Sequence, residues 1–240
     1  MIEDNIAFVR SFRKILEAEG NFVLQDFQSA DRAMKHYWEG DFDVVIVDLQ
    51  LDGSRNQGFD FMQWLRREEK KRMHLPVPIL VLTSDTSAGS IAKCFGLDGA
   101  YVPKGHNDAE NLVGEYSKSE RPEPAVEAIK SLIRRKKSYE SKFSHRGLEL
   151  TPKGEFKYNS SPFLKDKEKM RRILHCLMEN APEVVSRRKL EQVAWDAAIG
   201  EGNNLNTEIN KLRDAIAELN PAPPVAIETH RGTGYQLILL

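Results

Sequence analysis

The chain has 240 residues, 30% of them charged and 40% hydrophobic, with a formal net charge of −1. It is long enough for two domains with their own cores, and its composition is ordinary for a soluble globular protein. No stretch approaches the roughly 20 consecutive apolar residues of a membrane span. No secretory signal is visible at Met1, and Cys94 and Cys176 fit no metal or disulfide spacing. A cytoplasmic setting is therefore expected, with both thiols as small core residues.

Taken in chain order, Ile2 is followed at once by Glu3 and Asp4. Ile6, Val9, Phe12 and Leu16 recur at helical spacing and predict a first helix. Phe22-Val23-Leu24 predicts a strand. Ser29 suits the cap of a helix holding Ala33, Met34 and Tyr37. Val44-Val45-Ile46-Val47 is a short β-branched run, a buried strand ending on Asp48. Residues 59 to about 71 predict a helix whose charged end, 66–72, is exposed. Residues 78–82 predict a strand closing on Thr83, and residues 99–103 one closing on Lys104. Val126, Ile129 and Leu132 then give a last helix its apolar stripe. Strands alternating with helical crossovers imply a parallel sheet covered on both faces.

In an open parallel sheet, chemistry sits at the carboxyl ends of the strands. Singly, Asp48 reads as a turn residue, Thr83 as a helix cap and Lys104 as a solvated loop lysine. Their order at successive strand ends, with the acidic pair, reads as one site. Three clustered carboxylates repel unless a cation lies among them, and all-oxygen ligands suit Mg²⁺. A metal ion and a lysine would neutralise a transferring phosphoryl group, and aspartate is a covalent acceptor for it.

Residues 1–138 resemble the receiver domain of a two-component response regulator. The matching residues are Glu3, Asp4, Asp48, Thr83, Tyr101 and Lys104. The resemblance implies a flavodoxin-like, doubly wound α/β fold and Mg²⁺-dependent phosphoryl transfer to Asp48 from a sensor histidine kinase. It also implies a metal held by Glu3, Asp4, Asp48 and the Gln50 backbone carbonyl, and a switch through Thr83 and Tyr101.

The net charge hides an asymmetry. Residues 1–129 carry −7, residues 130–146 carry +6, and residues 147–240 are neutral. The basic segment reads either as a nucleic-acid or partner contact, or as a solvated helix end plus a linker, placed at 139–146. Beyond it, Leu148-Glu149-Leu150 and Glu155-Phe156-Lys157-Tyr158 alternate as short strands around the turn Lys153-Gly154. Met170, Ile173, Leu174 and Leu177 mark a helix. Ser186 caps a second one holding Leu190, Val193 and Trp195. A third helix carries the stripe Leu205, Ile209, Leu212, Ile216 and Leu219. A hairpin closes the chain around Gly232-Thr233-Gly234. Three helices and a terminal hairpin predict an α+β winged helix-turn-helix over 147–240. Its third helix carries Asn206, Thr207, Asn210, Lys211 and Arg213 opposite the stripe, residue types that pair with base edges and phosphates.

Val184-Val185-Ser186-Arg187-Arg188-Lys189-Leu190, Val193-Ala194-Trp195 and Thr229-His230-Arg231-Gly232-Thr233-Gly234-Tyr235 together resemble the OmpR/PhoB type of winged-helix output domain. That resemblance implies major-groove contacts from Asn206, Asn210, Lys211 and Arg213, and wing contacts from Thr229 and Arg231. It also implies phosphate contacts near Arg187, Arg188 and Trp195, and RNA polymerase contacts from the loop at 198–203. Several features depart from the pattern. Only Met1 and Ile2 precede the acidic pair. Asp52-Gly53 replaces a usual proline segment, Gly105 follows Lys104 in place of proline, and residues 106–122 form a long insert. Gly99-Ala100 stands where an acidic pair serves the family's receiver dimer. Glu208 lies on the third helix, where it would repel phosphate or accept from cytosine.

The reading is a cytoplasmic DNA-binding transcriptional regulator, not an enzyme. A sensor histidine kinase controls it through Asp48, and it acts on double-stranded DNA as a homodimer. Two alternatives stay open: DNA binding independent of phosphorylation, and a winged helix that binds protein. The neutral output domain and Glu208 favour the last; Lys211 and Arg231 oppose it.

Overall fold

The computed structural model describes residues 1–51, 56–104, 123–195, 204–220 and 222–240. It divides into two compact units, Met1–Lys71 with Pro76–Lys137, and Arg72–Leu75 with Ser138–Leu240. None of the described helices is long and apolar enough to cross a membrane.

In the first unit β1 (Val45–Val47), β2 (Ile79–Thr83) and β3 (Gly99–Pro103) are parallel neighbours in that order. Ile2 bridges in parallel to Val47 on one side and Phe27 on the other. The ladder therefore runs Phe27, Ile2, β1, β2, β3, the doubly wound order with the first segment inside. The helices are α1 (Ile6–Ala18), α2 (Ala30–His36), α3 (Gln57–Arg72), α4 (Ala88–Gly96) and α5 (Glu123–Ser141). Alternation along the strands sorts the core into two layers. Val45, Val47, Ile79 and Val81 pack with Phe61, Met62 and Leu65 of α3. Ile46, Leu80 and Leu82 pack with Val9, Phe12 and Leu16 of α1 and Val126, Ile129 and Leu132 of α5. Each such side chain contributes about 1.5–3 kcal/mol relative to exposure.

Two expectations for this unit need correction. Residues 22–24 form no strand: Val23 is 99% exposed, while Phe22 and Leu24 lean on the second core layer. Their β-branched and aromatic types suit a strand, but the facing segment makes its bridge through Ile2, which meets Phe27. The charged end of α3 is not wholly solvated either. Glu69 is buried, accepting the Val77 amide at 2.8 Å and the Arg66 guanidinium at 2.7 Å. Arg66 also donates to the carbonyls of Val77 and Leu97. Burial raises the Glu69 pKa and Arg66 opposes that rise.

In the second unit β4 (Ser144–His145), β5 (Leu148–Leu150), β6 (Phe156–Tyr158) and β7 (Ser161–Pro162) form an antiparallel meander. Helices α6 (Glu168–Asn180), α7 (Arg187–Trp195) and α8 (Leu205–Ala217) follow, with β8 (Val185–Ser186), β9 (Val225–His230) and β10 (Gly234–Leu239) in the order β8-β10-β9. The stripe Leu205, Ile209, Leu212 and Ile216 of α8 is buried in one core with Ile173, Leu177, Leu190 and Leu237. Residues 139–146, read from their charge as a linker, belong to ordered elements. α5 continues to Ser141, Phe143 is fully buried, and β4 pairs with β5. A Cβ on Gly234 would lie 1.9 Å from the Val185 carbonyl, so the β8–β10 pairing requires glycine there.

Candidate functional site

The strand ends of the first unit converge as their order predicts. β1 delivers Asp48, whose backbone N–H donates to the Ile2 carbonyl at 3.0 Å. Glu3 follows Ile2, and Asn5 caps α1 by accepting from the Phe8 amide at 3.1 Å, so the helix starts directly after the acidic pair. Ligand oxygens of Glu3, Asp4 and Asp48 all lie within 4.8 Å of one another. Lys104 enters from the end of β3, its backbone N–H held by the Thr83 carbonyl at 2.8 Å. Its ammonium donates to Glu3 Oε2 at 2.5 Å and to Asp48 Oδ2 at 2.6 Å, and lies 4.5 Å from the centre of the Phe8 ring. The other Asp48 oxygen accepts the Gln50 backbone N–H at 3.1 Å.

The charges here suit a divalent cation. Three carboxylates and one ammonium leave a formal −2, and the donors are hard oxygens. Burial raises the Glu3 pKa, with Lys104 pulling it down and Asp48 adding to the rise. A cation among these oxygens would oppose that rise by favouring the ionised carboxylates. Glu3, Asp4 and Asp48 are therefore the residues able to hold one. The metal role expected of Gln50 fell on its carbonyl; the contact seen at Asp48 is through its N–H.

Thr83 is fully buried at the end of β2, its hydroxyl oxygen accepting from the Asp85 N–H at 3.3 Å. The Tyr101 hydroxyl donates to the Asp85 carbonyl at 2.9 Å. The two expected switch residues thus meet on Asp85. Sequence reasoning missed that residue, and it missed Gly58. A Cβ on Gly58 would lie 2.2 Å from the Asp48 carbonyl oxygen, so α3 approaches the Asp48 backbone closely only with glycine there. Neither role has a local signal, since both arise from tertiary proximity. Gly99, expected to matter for its lack of charge, also has a steric role: its Cβ would lie 2.7 Å from Cys94 Sγ. Asp52-Gly53, Gly105, the insert 106–122 and the loop 198–203 lie outside the described residues.

In the second unit Asn206, Asn210 and Lys211 are exposed along α8, opposite its buried stripe, and Arg231 is exposed in the hairpin turn between β9 and β10. Arg188 is exposed on α7. Glu208 is paired with Lys211 at 2.9 Å, which offsets its charge. Other expected contact residues are engaged within the unit. Arg213 donates twice to the Ile227 carbonyl, at 3.0 and 2.9 Å, and to the Thr229 hydroxyl at 2.7 Å. It therefore braces α8 to β9, and Thr229 is its acceptor. Trp195 packs against the core, with the Lys169 ammonium 5.3 Å from its ring centre, so Lys169 is the cation at that position. Arg187 donates to Asn206 Oδ1 at 2.7 Å and to the Tyr235 hydroxyl at 3.1 Å. Tyr235, read from sequence as a strand residue and the end of the Thr229–Tyr235 motif but given no contact role, joins this network.

Known proteins share both halves. Residues 1–113 match the family described as response regulator receiver domain, and residues 164–237 match the one described as transcriptional regulatory protein, C terminal. The transcriptional regulatory protein YvrH of Bacillus subtilis is 25% identical over 99% of this chain and 94% of its own length. The sensory transduction protein RegX3 of Mycobacterium tuberculosis is 27% identical over 99% of this chain and 97% of its own. The solved structure of DrrB, a response regulator and OmpR/PhoB homolog of Thermotoga maritima, is 21% identical over 99% of this chain and 96% of that one, with a TM-score of 0.41.

Proposed function

Because the chain belongs to the response regulators of OmpR/PhoB type, a receiver followed by a DNA-binding transcriptional regulatory domain, we propose that phosphoryl transfer from a sensor histidine kinase to Asp48 switches it. The observation that carries this reading is the bridge from Lys104 to Glu3 and Asp48, with Asp4 in reach of the same point. An Asp48 carboxylate oxygen attacks phosphorus, the bond to the donor imidazole nitrogen breaks, and an acyl phosphate remains. Glu3, Asp4, Asp48 and the Gln50 carbonyl would hold Mg²⁺, which when bound would neutralise the phosphoryl charge. Lys104 gives up Asp48 Oδ2 and takes a phosphate oxygen. The Thr83 hydroxyl accepts from Asp85 through its oxygen, which leaves its hydrogen to donate to phosphate. Turning to do so frees the Asp85 N–H while Tyr101 still holds the Asp85 carbonyl, so both switch residues act on one loop.

The output domain then engages DNA. α8 enters the major groove with Asn206, Asn210 and Lys211, while Arg188 and Arg231 meet phosphates. Phosphorylation favours a homodimer that spans two half-sites in the cytoplasm, and the loop at 198–203 meets RNA polymerase. A small phosphodonor with Mg²⁺ should add one acid-labile phosphate to the protein, and Asp48→Asn should abolish it. Labelling that persists in Asp48→Asn overturns the assignment. Asp4→Ala should weaken Mg²⁺ binding in calorimetric titration, because a carboxylate ligand is lost.

A further inference from the structure

We infer that Arg187 and Tyr235 hold Asn206 as a hydrogen-bond donor only, so that α8 reads guanine through its N7 and O6 acceptors, not adenine. The inference rests on the proposal above that α8 enters the groove, and deepens it by naming the base. Asn206 Oδ1 accepts from the Arg187 guanidinium at 2.7 Å and from the Tyr235 hydroxyl at 2.6 Å. A guanidinium has no acceptor, so the amide oxygen, not its nitrogen, must face Arg187. Two donors occupy both lone pairs of that oxygen. The two N–H groups of Asn206 Nδ2 have no partner among the described residues, on a side chain exposed to solvent.

The familiar amide–adenine pair needs the amide oxygen to accept from adenine N6 while the NH₂ donates to N7. At Asn206 that oxygen is taken. Guanine presents two acceptors on its major-groove edge, which match two free N–H groups. Asn210 repeats the pattern one helical turn on: its Oδ1 accepts from Arg213 at 3.3 Å, leaving its NH₂ as the outward group. Arg213 is in turn fixed to the Ile227 carbonyl and to Thr229. Tyr235 is buried, with the Arg187 and Arg213 guanidinium carbons each 5.9 Å from its ring centre. It touches no DNA in this account and is a positioning residue.

The test is selection from a random duplex library by the full-length protein, run on wild type, Asn206→Ala and Tyr235→Phe. The base pair whose preference vanishes in Asn206→Ala is the one Asn206 reads. Guanine is expected there. Replacing it with 7-deazaguanine, which lacks N7, should weaken binding roughly tenfold, whereas inosine, which keeps N7 and O6, should be tolerated. Tyr235→Phe keeps the ring and frees one lone pair of the amide oxygen. Discrimination against adenine should then fall roughly fivefold at that pair alone. A merely structural role of Tyr235 would shift affinity for all sequences together and leave this ratio unchanged. Adenine preferred by wild type at that pair, an unchanged ratio in Tyr235→Phe, or no pair altered by Asn206→Ala each overturns the inference while leaving DNA binding intact. Absence of salt-dependent DNA binding overturns the groove reading and this inference together.

Discussion

At the strand ends of the first unit, Lys104 closes on Glu3 and Asp48, and none of the three side chains is more than 12% exposed. On α8 of the second unit, Asn206 and Asn210 stand in solvent and are held by guanidinium groups from α7 and from α8 itself. The first arrangement is ionic and buried, so losing one member leaves charge uncompensated. The second is neutral at its exposed amides, and its hydrogen bonds are worth little each. Buried ion pairs set how much energy a switch must exchange; exposed hydrogen bonds set which atoms are left for a partner.

The sharpest way to break this contrast is Lys104→Met. Removing one partner of a buried pair costs about 3 kcal/mol, read as a fall in the urea midpoint of the first unit. Mg²⁺ should restore more stability to the variant than it adds to wild type, because it replaces the missing positive charge. A variant as stable as wild type would show that the bridge behaves like a solvated surface pair.

Acidity separates the regions next. Glu3 must be deprotonated to ligate a cation, and burial raises its pKa, so Mg²⁺ affinity should fall on acidification at a higher pH than for a solvated carboxylate. The exposed amides of α8 do not titrate. In the second unit, however, His175 stacks on the core residue Phe143 with ring centres 5.2 Å apart, and its Nε2 is buried without a partner among the described residues. Burial lowers its pKa, and Glu179 opposes that shift. The folded state therefore favours the neutral ring. Its contribution is intact above about pH 6.5, the unfolded value, and is lost as pH falls below it, by at most about 1.4 kcal/mol per pH unit. Urea midpoints at pH 8 and pH 5.5 should show this loss, and His175→Phe should flatten it.

The smallest effects distinguish two arginines. Arg231→Ala should lower the salt slope of DNA binding by about one unit and leave stability unchanged. Arg213→Met should lower the unfolding free energy by about 1–2 kcal/mol, read from urea titration, through loss of its bonds to the Ile227 carbonyl and Thr229. If Arg213→Met leaves stability unchanged and alters base preference alone, it reads DNA instead of bracing the wing.

Much of this was legible in the sequence because strand ends announce themselves. Asp48, Thr83 and Lys104 each follow an apolar run, and the sheet brings them together. The stripe of α8 was legible from its period. Residues 22–24 were misread because propensity reports what suits a strand, not whether a partner lies opposite. The polar stretch around Phe143 concealed the aromatic that anchors it in the second core. Gly58, Asp85 and Tyr235 gave no sign, since their roles depend on what the fold sets beside them: a backbone, two hydroxyls and an amide. Arg213 looked like Asn210 in sequence; only the nearness of β9 makes it a brace.

The alternation in β2 carries one more consequence. Ile79 and Val81 face one core layer, Leu80 and Leu82 the other. Adding or deleting a single residue within the strand would invert the parity of the residues beyond it, sending their side chains to the opposite layer and turning Thr83 away from its neighbours. Loops carry no such parity. Changes of chain length should therefore be tolerated in the segments between elements and rejected within β1 and β2. The spacing from Val45 to Asp48 and from Ile79 to Thr83 then acts as a counting rule for where chemistry can be placed.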